Sequence, residues 1–592
     1  MKRREFLGLA ALPLAQVLNR QPLGASRGSV VGVDGREVEG IDLVREWNGP
    51  FCQSRVINRS RQPIRIKEIV LFDVELSMPS TTALYGEGFQ MLTQTGGTIA
   101  APVDFSQYTD ARHYRIPERE GARAFFGLLT LTPPGEETTL LAFTSCARFS
   151  GKFVLRAINT THRLAAVIDA EGVELAPGEA WPLEELMVTS GRARGRLLND
   201  VGDRLAMHHP PLKTAQPPTG WCSWYCFGPR VTAQQVLDNL DAIAKNFPAL
   251  KYVQIDDGYQ SAMGDWLTTG AAFGGNIRTV LDEIRRRGFE PAIWVAPFVA
   301  EAESTIFRQH PDWFIKDSES QPLRSDRVTF GGWRRGPWYA LDGTRPEVQD
   351  HFEQLFKTMR ESWGCTYFKL DANFWGAMHG GRFHDPRATR VEAYRRGMQA
   401  IVRGAGSAFL LGCNHPIWPS IGVVHGSRSS NDIKRSWDRV MTTARQNLSR
   451  NWQNGRLWWN DPDAVVLAGE LNDAECRFHA TAIYASGGML LSGDDLTAIP
   501  PERADMLRTL LPPTGVAAEF DDATLQVGYM RIPGARMACL FNWDDEPRVC
   551  RVDIGSPSMV TDVWTRESLG RRDGVLSIEM PPRSARLLKV VS

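Results

Sequence analysis

Acidic residues in the middle of this 592-residue chain recur at the ends of short apolar runs. Asp371 closes Tyr367-Phe368-Lys369-Leu370, Asp256-Asp257 closes the run from Tyr252, and Asp461, Asp463 and Asp494-Asp495 follow two more. Trp224-Tyr225, Trp294, Cys413-Asn414-His415, Arg428 and Asp432 stand at or after other runs of the same kind. Carboxylates among aromatics, without a His-rich metal-ligand set, suit glycoside hydrolysis. One carboxylate attacks the anomeric carbon and another protonates the leaving oxygen, while indole faces stack on sugar C–H faces. Asp371 is the candidate nucleophile. Lys369, two residues earlier in a strand, points to the same face, and a neighbouring cation keeps a carboxylate ionised. A helix N-cap after a strand is the competing reading of Asp371. Asp432 opens a helical stretch and fits either a second catalytic carboxylate or a cap. Arg428, four residues before it, fits either a ligand for substrate hydroxyls or a partner for a carboxylate.

The elements that must position these residues alternate. Strand-like runs are Gly220–Tyr225, Tyr252–Asp256, Pro291–Ala296, Tyr367–Asp371, Ala408–Gly412, Gly422–Gly426, Leu457–Asn460 and Met489–Ser492. Between them lie amphipathic stretches at Ala233–Asn246, Ile277–Arg287, Arg345–Trp363, Thr389–Arg403 and Arg435–Leu448. This rhythm over about 290 residues predicts an α/β fold of the (β/α)8 barrel type, whose active site lies at the C-terminal ends of the strands. An open doubly wound sheet is the competitor, and no Gly-rich phosphate loop follows the first run. Residues 29–205 alternate in short runs with Gly, Pro and Asn between them, which predicts an N-terminal β-sandwich. A helix at Leu198–Met207 and a Pro-rich linker follow. The barrel is expected over 212–510 and a C-terminal antiparallel β-sandwich over 513–592.

Lys2-Arg3-Arg4-Glu5-Phe6-Leu7 and the short apolar run to Val17 form a twin-arginine export pattern over 1–28. This predicts a periplasmic or extracellular protein. The apolar run is well short of the roughly 20 residues that a membrane span needs, and no later stretch qualifies. Lys+Arg and Asp+Glu are both 68, so the formal net charge is zero. That balance argues against a nucleic-acid binder or a polybasic membrane-surface protein. Nine scattered cysteines leave at least one unpaired within the chain. Cys222 and Cys226 have no partner pair at metal-binding spacing, so no structural metal is expected. Most of the 18 Trp read as core, with Trp224 and Trp294 at the rim. His208-His209 reads as a solvated linker pair, Asp461 and Asp463 as supports of the rim, and Asp494-Asp495 as a cap for the last helix.

Residues 220–463 resemble glycoside hydrolase family 36 α-galactosidases (melibiases), especially the compact microbial type. The matching blocks are GWCSWY at 220–225, KNFPALKYVQIDDGYQ at 245–260, GDWL at 264–267, GFEPAIWVAPF at 288–298, HPDWFIK at 310–316 and YALD at 339–342. YFKLDANFWGAMHGG at 367–381, LGCNHPIWPSIGVVHGSR at 411–428 and WWNDPD at 458–463 continue them. The resemblance implies a sandwich–barrel–sandwich order and a retaining mechanism through a covalent glycosyl-aspartate. It puts Asp371 in the nucleophile position and Asp432 in the acid/base position, with the family's Arg-x3-Asp spacing intact. It puts Asp256 and Asp257 on the 4- and 6-hydroxyls of an α-galactoside substrate. Lys369 and Arg428 match other hydroxyl-binding positions, and Trp224, Tyr225, Trp294 and Cys413 match lining positions. No metal or organic cofactor is implied.

Two departures from the family pattern bear on substrate. The acid/base loop reads Gly426-Ser427-Arg428-Ser429-Ser430-Asn431-Asp432 where compact relatives carry Gly-Met-Arg-Ile-Gly-Pro-Asp, and bulkier Asn414-His415 replaces a small Gly-Ser pair. They leave open an α-N-acetylgalactosaminidase or an α-glycosidase of altered specificity. A galactosyl transferase of the raffinose-synthase kind uses the same carboxylates. A non-catalytic sugar-binding protein is disfavoured, because both carboxylates are kept. His415 reads as a hydrogen-bonded structural residue.

Overall fold

The computed structural model describes residues 26–158 and 161–592, with the backbone of Leu12–Pro13. The twin-arginine pattern lies outside the described residues. The chain divides into two compact units. One comprises residues 1–197 with 382–394 and 417–419, and the other holds the rest.

The first unit is built on a six-stranded and a nine-stranded sheet, antiparallel apart from one short pairing at Leu12–Pro13. The strand Phe51–Asn58 shows why they pack: Cys52, Ser54, Val56 and Asn58 are buried and alternate with more exposed residues, the period of two that a half-covered strand requires. Val56, Leu129, Leu141 and Leu186 of the nine-stranded sheet share a core with Ile69, Phe72, Phe153 and Ile168 of the six-stranded one. That is a sandwich core.

The second unit contains eight parallel strands: β1 (Thr219–Cys222), β2 (Tyr252–Ile255), β3 (Glu290–Val295), β4 (Tyr367–Leu370), β5 (Phe409–Gly412), β6 (Gly426–Arg428), β7 (Trp459–Asp461) and β8 (Leu490–Ser492). Neighbours pair in sequence order and β8 pairs with β1. Met489 N donates to Asn460 O at 2.8 Å and Val465 N to Leu491 O at 2.7 Å, which bridges β7 to β8 around the break at Pro462. Cys222, Ala292, Tyr367, Phe409, Leu411, Met489 and Leu491 pack into one interior cluster, with Tyr367 and Phe409 stacked at 5.3 Å. Layered interior side chains are what makes such a barrel a core and not a pore.

The major helices are α1 (Ala233–Asn246), α2 (Arg278–Arg286), α3 (Pro346–Glu361), α4 (Arg390–Ala405), α5 (Trp437–Ser449), α6 (Asp473–Ser486) and α7 (Pro501–Thr509). Thr232 and Gln235 form a capping box that starts α1, and Asn472 with Glu475 does the same for α6. Gly487 ends α6 at φ 63°, where a Cβ would lie 2.0 Å from Val516 O, so glycine is required there.

Several elements differ from what the sequence predicts. β1 stops at Cys222, because Ser223 turns the chain into a short helix at Trp224–Phe227; an apolar aromatic run does not distinguish strand from helix. The sixth strand is Gly426–Arg428, not Gly422–Gly426, since its polar residues hid it and Gly422 lies in a turn at φ 80°. The C-terminal strands from Glu519 form one six-stranded antiparallel sheet instead of two sheets. That sheet folds over its own core, in which Ala538 and Leu540 meet Val552, Ile554 and Ile578. His209 is buried, while His208 is exposed at the end of the helix Arg194–His208. Asp494 caps no helix: its carboxylate accepts Leu467 N at 2.7 Å and pairs with Arg435 at 2.8 Å. All nine cysteines are free thiols.

Candidate active site

Asp371 follows β4 directly, and its backbone N–H still pairs with Val295 O of β3 at 2.8 Å. The next residue, Ala372, has φ 53°, so the chain turns sharply and leaves the Asp371 side chain at the strand end. Three donors hold the carboxylate. Trp294 Nε1 donates to Oδ2 at 3.0 Å, and Ala372 N and Asn414 Nδ2 each donate to Oδ1 at 2.7 Å. The expected cation is elsewhere: Lys369 Nζ donates to Asp256 Oδ2 at 2.9 Å. The Lys369 side chain points into the barrel, where the end of β2, two strands away, offers it a buried acid. Asn414, at φ 42°, is the side chain that reaches Asp371 in place of Lys369.

Asp256 and Lys369 form a buried ion pair. Burial works against the ammonium charge, but the Asp256 carboxylate outweighs it and raises the Lys369 pKa. Asp256 also accepts from Gln254 Nε2 at 2.7 Å and pairs with the Cys222 thiol at 3.5 Å. Asp257 is gripped by Arg334, whose Nε donates to Oδ2 at 3.1 Å and whose Nη2 donates to Oδ1, and by Gln260 Nε2 at 2.6 Å. Burial raises the Asp257 pKa, and Arg334 and Gln260 oppose that rise. Arg334 was missed in the sequence because it sits in the loop Gly331-Gly332-Trp333-Arg334-Arg335-Gly336, far from any strand end.

Arg428 ends β6 and is almost wholly buried, yet it meets three carboxylates. Its Nη1 reaches Asp432 at 3.0 Å, its Nε reaches Asp461 at 3.1 Å and its Nη2 reaches Asp463 at 2.9 Å. Burial opposes its charge, but Asp463 and the other anions raise its pKa. Asp463, at φ 75°, accepts Tyr225 Oη at 2.6 Å and Ile433 N at 2.6 Å. Burial pushes its pKa up to about 6 against the pull of Arg428. Asp461 and Asp463 therefore fix the arginine. The third partner, Asp432, has 51% of its side chain exposed. One carboxylate is thus locked by fixed donors (Asp371), and a second is open to solvent beside a fixed guanidinium (Asp432). A nucleophile and a proton carrier have those two requirements.

The other predicted residues take these places. Trp294 is buried and meets Trp266 edge-on at 5.6 Å. Trp224 is half-buried, and Tyr225 bonds to Asp463. Cys413 is buried at the end of β5, and burial, reinforced by Asp371, raises its thiol pKa. His415 is buried between Ser420 Oγ and Ser427 Oγ, each at 2.9 Å, and burial holds it at about 3. It is a neutral strut. Among the described residues, no group of three or more His, Cys, Asp or Glu is placed to hold a metal.

Residues 238–404 match the Melibiase family model. The chain is 27% identical over 146 residues to the bifunctional alpha-galactosidase/sucrose kinase AgaSK of Mediterraneibacter gnavus, covering 23% of this chain and 14% of that protein. It is 26% identical over 208 residues to the A type blood alpha-D-galactosamine galactosaminidase of Flavonifractor plautii, covering 33% of this chain and 18% of that one. The chain thus spans less than a fifth of the length of these two relatives. Among solved structures, the alpha-galactosidase TtGalA of Thermus thermophilus, in complex with p-nitrophenyl alpha-D-galactopyranoside, superposes with a TM-score of 0.62. It is 23% identical, and the match covers 86% of this chain and 97% of that one; at that identity the likeness is one of fold. The chain is similar to glycoside hydrolases of the α-galactosidase kind.

Proposed function

We propose that this protein is a retaining, exo-acting glycoside hydrolase that releases terminal α-D-galactosyl residues. The observation that carries the reading is the difference between its two carboxylates, Asp371 held by three donors and Asp432 exposed beside Arg428. Asp371 attacks the anomeric carbon from the β face as Asp432 gives its proton to the departing oxygen. The carbon–oxygen bond breaks, and a β-galactosyl ester of Asp371 forms. Asp432, now a carboxylate, takes a proton from water, which attacks the same carbon and returns it to the α configuration. The paired groups Asp256–Lys369 and Asp257–Arg334 offer acceptors and donors to adjacent sugar hydroxyls. A site so built rejects an epimer, because a misplaced hydroxyl leaves buried polar groups unpaired.

A second reading, an α-N-acetylgalactosaminidase, is favoured by Asn414 at the site and by the likeness to the galactosaminidase. A panel of aryl α-glycosides (galactoside, N-acetylgalactosaminide, glucoside and arabinoside) separates the two. The galactoside is expected to be cleaved with the highest kcat/KM. Preference for the N-acetylgalactosaminide would replace the first reading with the second, and cleavage of neither would sink both. Products formed with an added acceptor sugar report any transferase activity. We further propose export by the twin-arginine route, read from Lys2-Arg3-Arg4.

A further inference from the structure

The segment 328–338, between β3 and α3, is pinned by the Ser325 hydroxyl. Ser325 Oγ donates to Gly331 O at 2.9 Å and accepts from Trp338 N at 3.1 Å. Gly332 has φ 116°, and a Cβ on it would lie 2.6 Å from the Trp338 indole. Two arginines fasten the segment to the loop after β2. Arg334 grips Asp257, and Arg335 Nη1 donates to Ser261 O at 2.6 Å and pairs with Glu301 at 3.2 Å. Trp338 Nε1 donates to Arg334 O at 2.8 Å, and the Trp338 ring lies 4.9 Å from Trp375, in the turn that follows Asp371. On this base stands Trp333, edge-on to Trp338 at 4.5 Å and to Trp375 at 6.1 Å, yet 40% exposed.

An indole fixed on a rigid base offers its face to an apolar C–H surface, and the arginines beside it, Arg334 and Arg335, already have carboxylate partners. We infer that Trp333 forms the subsite for the leaving group, stacking on the C–H face of a neutral hexose joined to the scissile oxygen. This rests on the proposed α-galactosidase reading. It adds that the enzyme selects its substrate on both sides of the bond.

The test compares wild type, Trp333→Ala and Trp333→Phe on two probes with one glycone, α-galactosyl fluoride and α-galactosyl-(1→6)-glucose. Fluoride leaves without a ring, so only the disaccharide uses the platform. Trp333→Ala is expected to lower kcat/KM on the disaccharide about tenfold, mainly through KM, as loss of one stacking contact does. The fluoride is expected to be unaffected, and Trp333→Phe to keep most of the disaccharide activity. Equal kcat/KM for wild type and Trp333→Ala on both probes would overturn the inference. So would an equal loss on both, which would make Trp333 a support for Arg334. If wild type cleaved neither probe, the α-galactosidase reading itself would fall and take the subsite with it.

Discussion

Asn414 is the residue on which the candidate site departs most from its expected chemistry. Its amide donates to Asp371 Oδ1, the oxygen that also accepts Ala372 N, so Oδ2 is left with one donor, Trp294. That asymmetry leaves Oδ2 the freer oxygen, the one that the proposed attack would use. Asn414, Ala372 and Asp463 all adopt positive φ, a conformation that costs a non-glycine residue about 1–3 kcal/mol. The concentration of such strain around the carboxylates ties their placement to these turns. Asn414→Ala removes a charge-assisted hydrogen bond of about 1.5–3 kcal/mol. We expect kcat on an aryl α-galactoside to fall at least about tenfold with little change in KM. A change confined to KM would make Asn414 a substrate ligand instead.

At the scale of elements, the rim is organised by ion pairs between strand ends. β2 and β4 are joined across β3 through Asp256–Lys369, and the adjacent β6 and β7 through Arg428 with Asp461 and the following Asp463. Arg428→Ala would leave Asp461 and Asp463 buried without their cation. Breaking such a buried group destabilises by about 3–5 kcal/mol, so thermal unfolding should show a clear drop in Tm along with lost activity. An unchanged Tm would mean that the two carboxylates find other partners. The same elements show how far the sequence was legible. α1 begins and ends where its pattern predicted, because Thr232 and Gln235 advertise the cap. The acidic strand ends Asp256, Asp371 and Asp461 were legible because apolar runs lead into them. β6 was misplaced because a strand whose last residue must hold three carboxylates carries no apolar signal. Lys369 pairs with Asp256 and not with Asp371, because strand periodicity gives a face but does not give the partner across the barrel. Arg334 had no signal beyond lying in a Gly- and Trp-rich loop, where spacing carries no geometry.

Across the whole molecule, buried histidines set the response to acid. Burial holds His113, His351, His425 and His479 at about 4, and His209 and His415 at about 3. Each stays neutral in the folded chain and takes a proton on unfolding below the ordinary imidazole value of about 6.5. Asp110 and Glu171, pushed up to about 7, and Asp463, pushed up to about 6, act in the opposite sense. They keep protons in the folded chain that the unfolded chain releases, so they stabilise as pH falls. Burial also lowers His162 and raises Glu118, Asp257, Glu301 and Asp494, but six histidines carry large shifts against the three carboxylates Asp110, Glu171 and Asp463. Between about pH 6 and 4 the unfolded chain therefore binds more protons, and stability falls as pH falls. Scanning calorimetry should show Tm decreasing steadily from pH 6.5 to about 4.5. A Tm that rises over that interval would mean that the carboxylates dominate.

The most direct test of the mechanism is the site of the covalent intermediate. In Asp432→Ala, a substrate with an activated leaving group, such as 2,4-dinitrophenyl α-galactoside, still drives the first step, while the second loses its base. The ester should then accumulate, and mass spectrometry of the digested protein should find the peptide containing Asp371 heavier by one galactosyl unit, with azide discharging the adduct. A galactosyl unit on any other carboxylate, or galactose released with the β configuration and no adduct, would contradict the account.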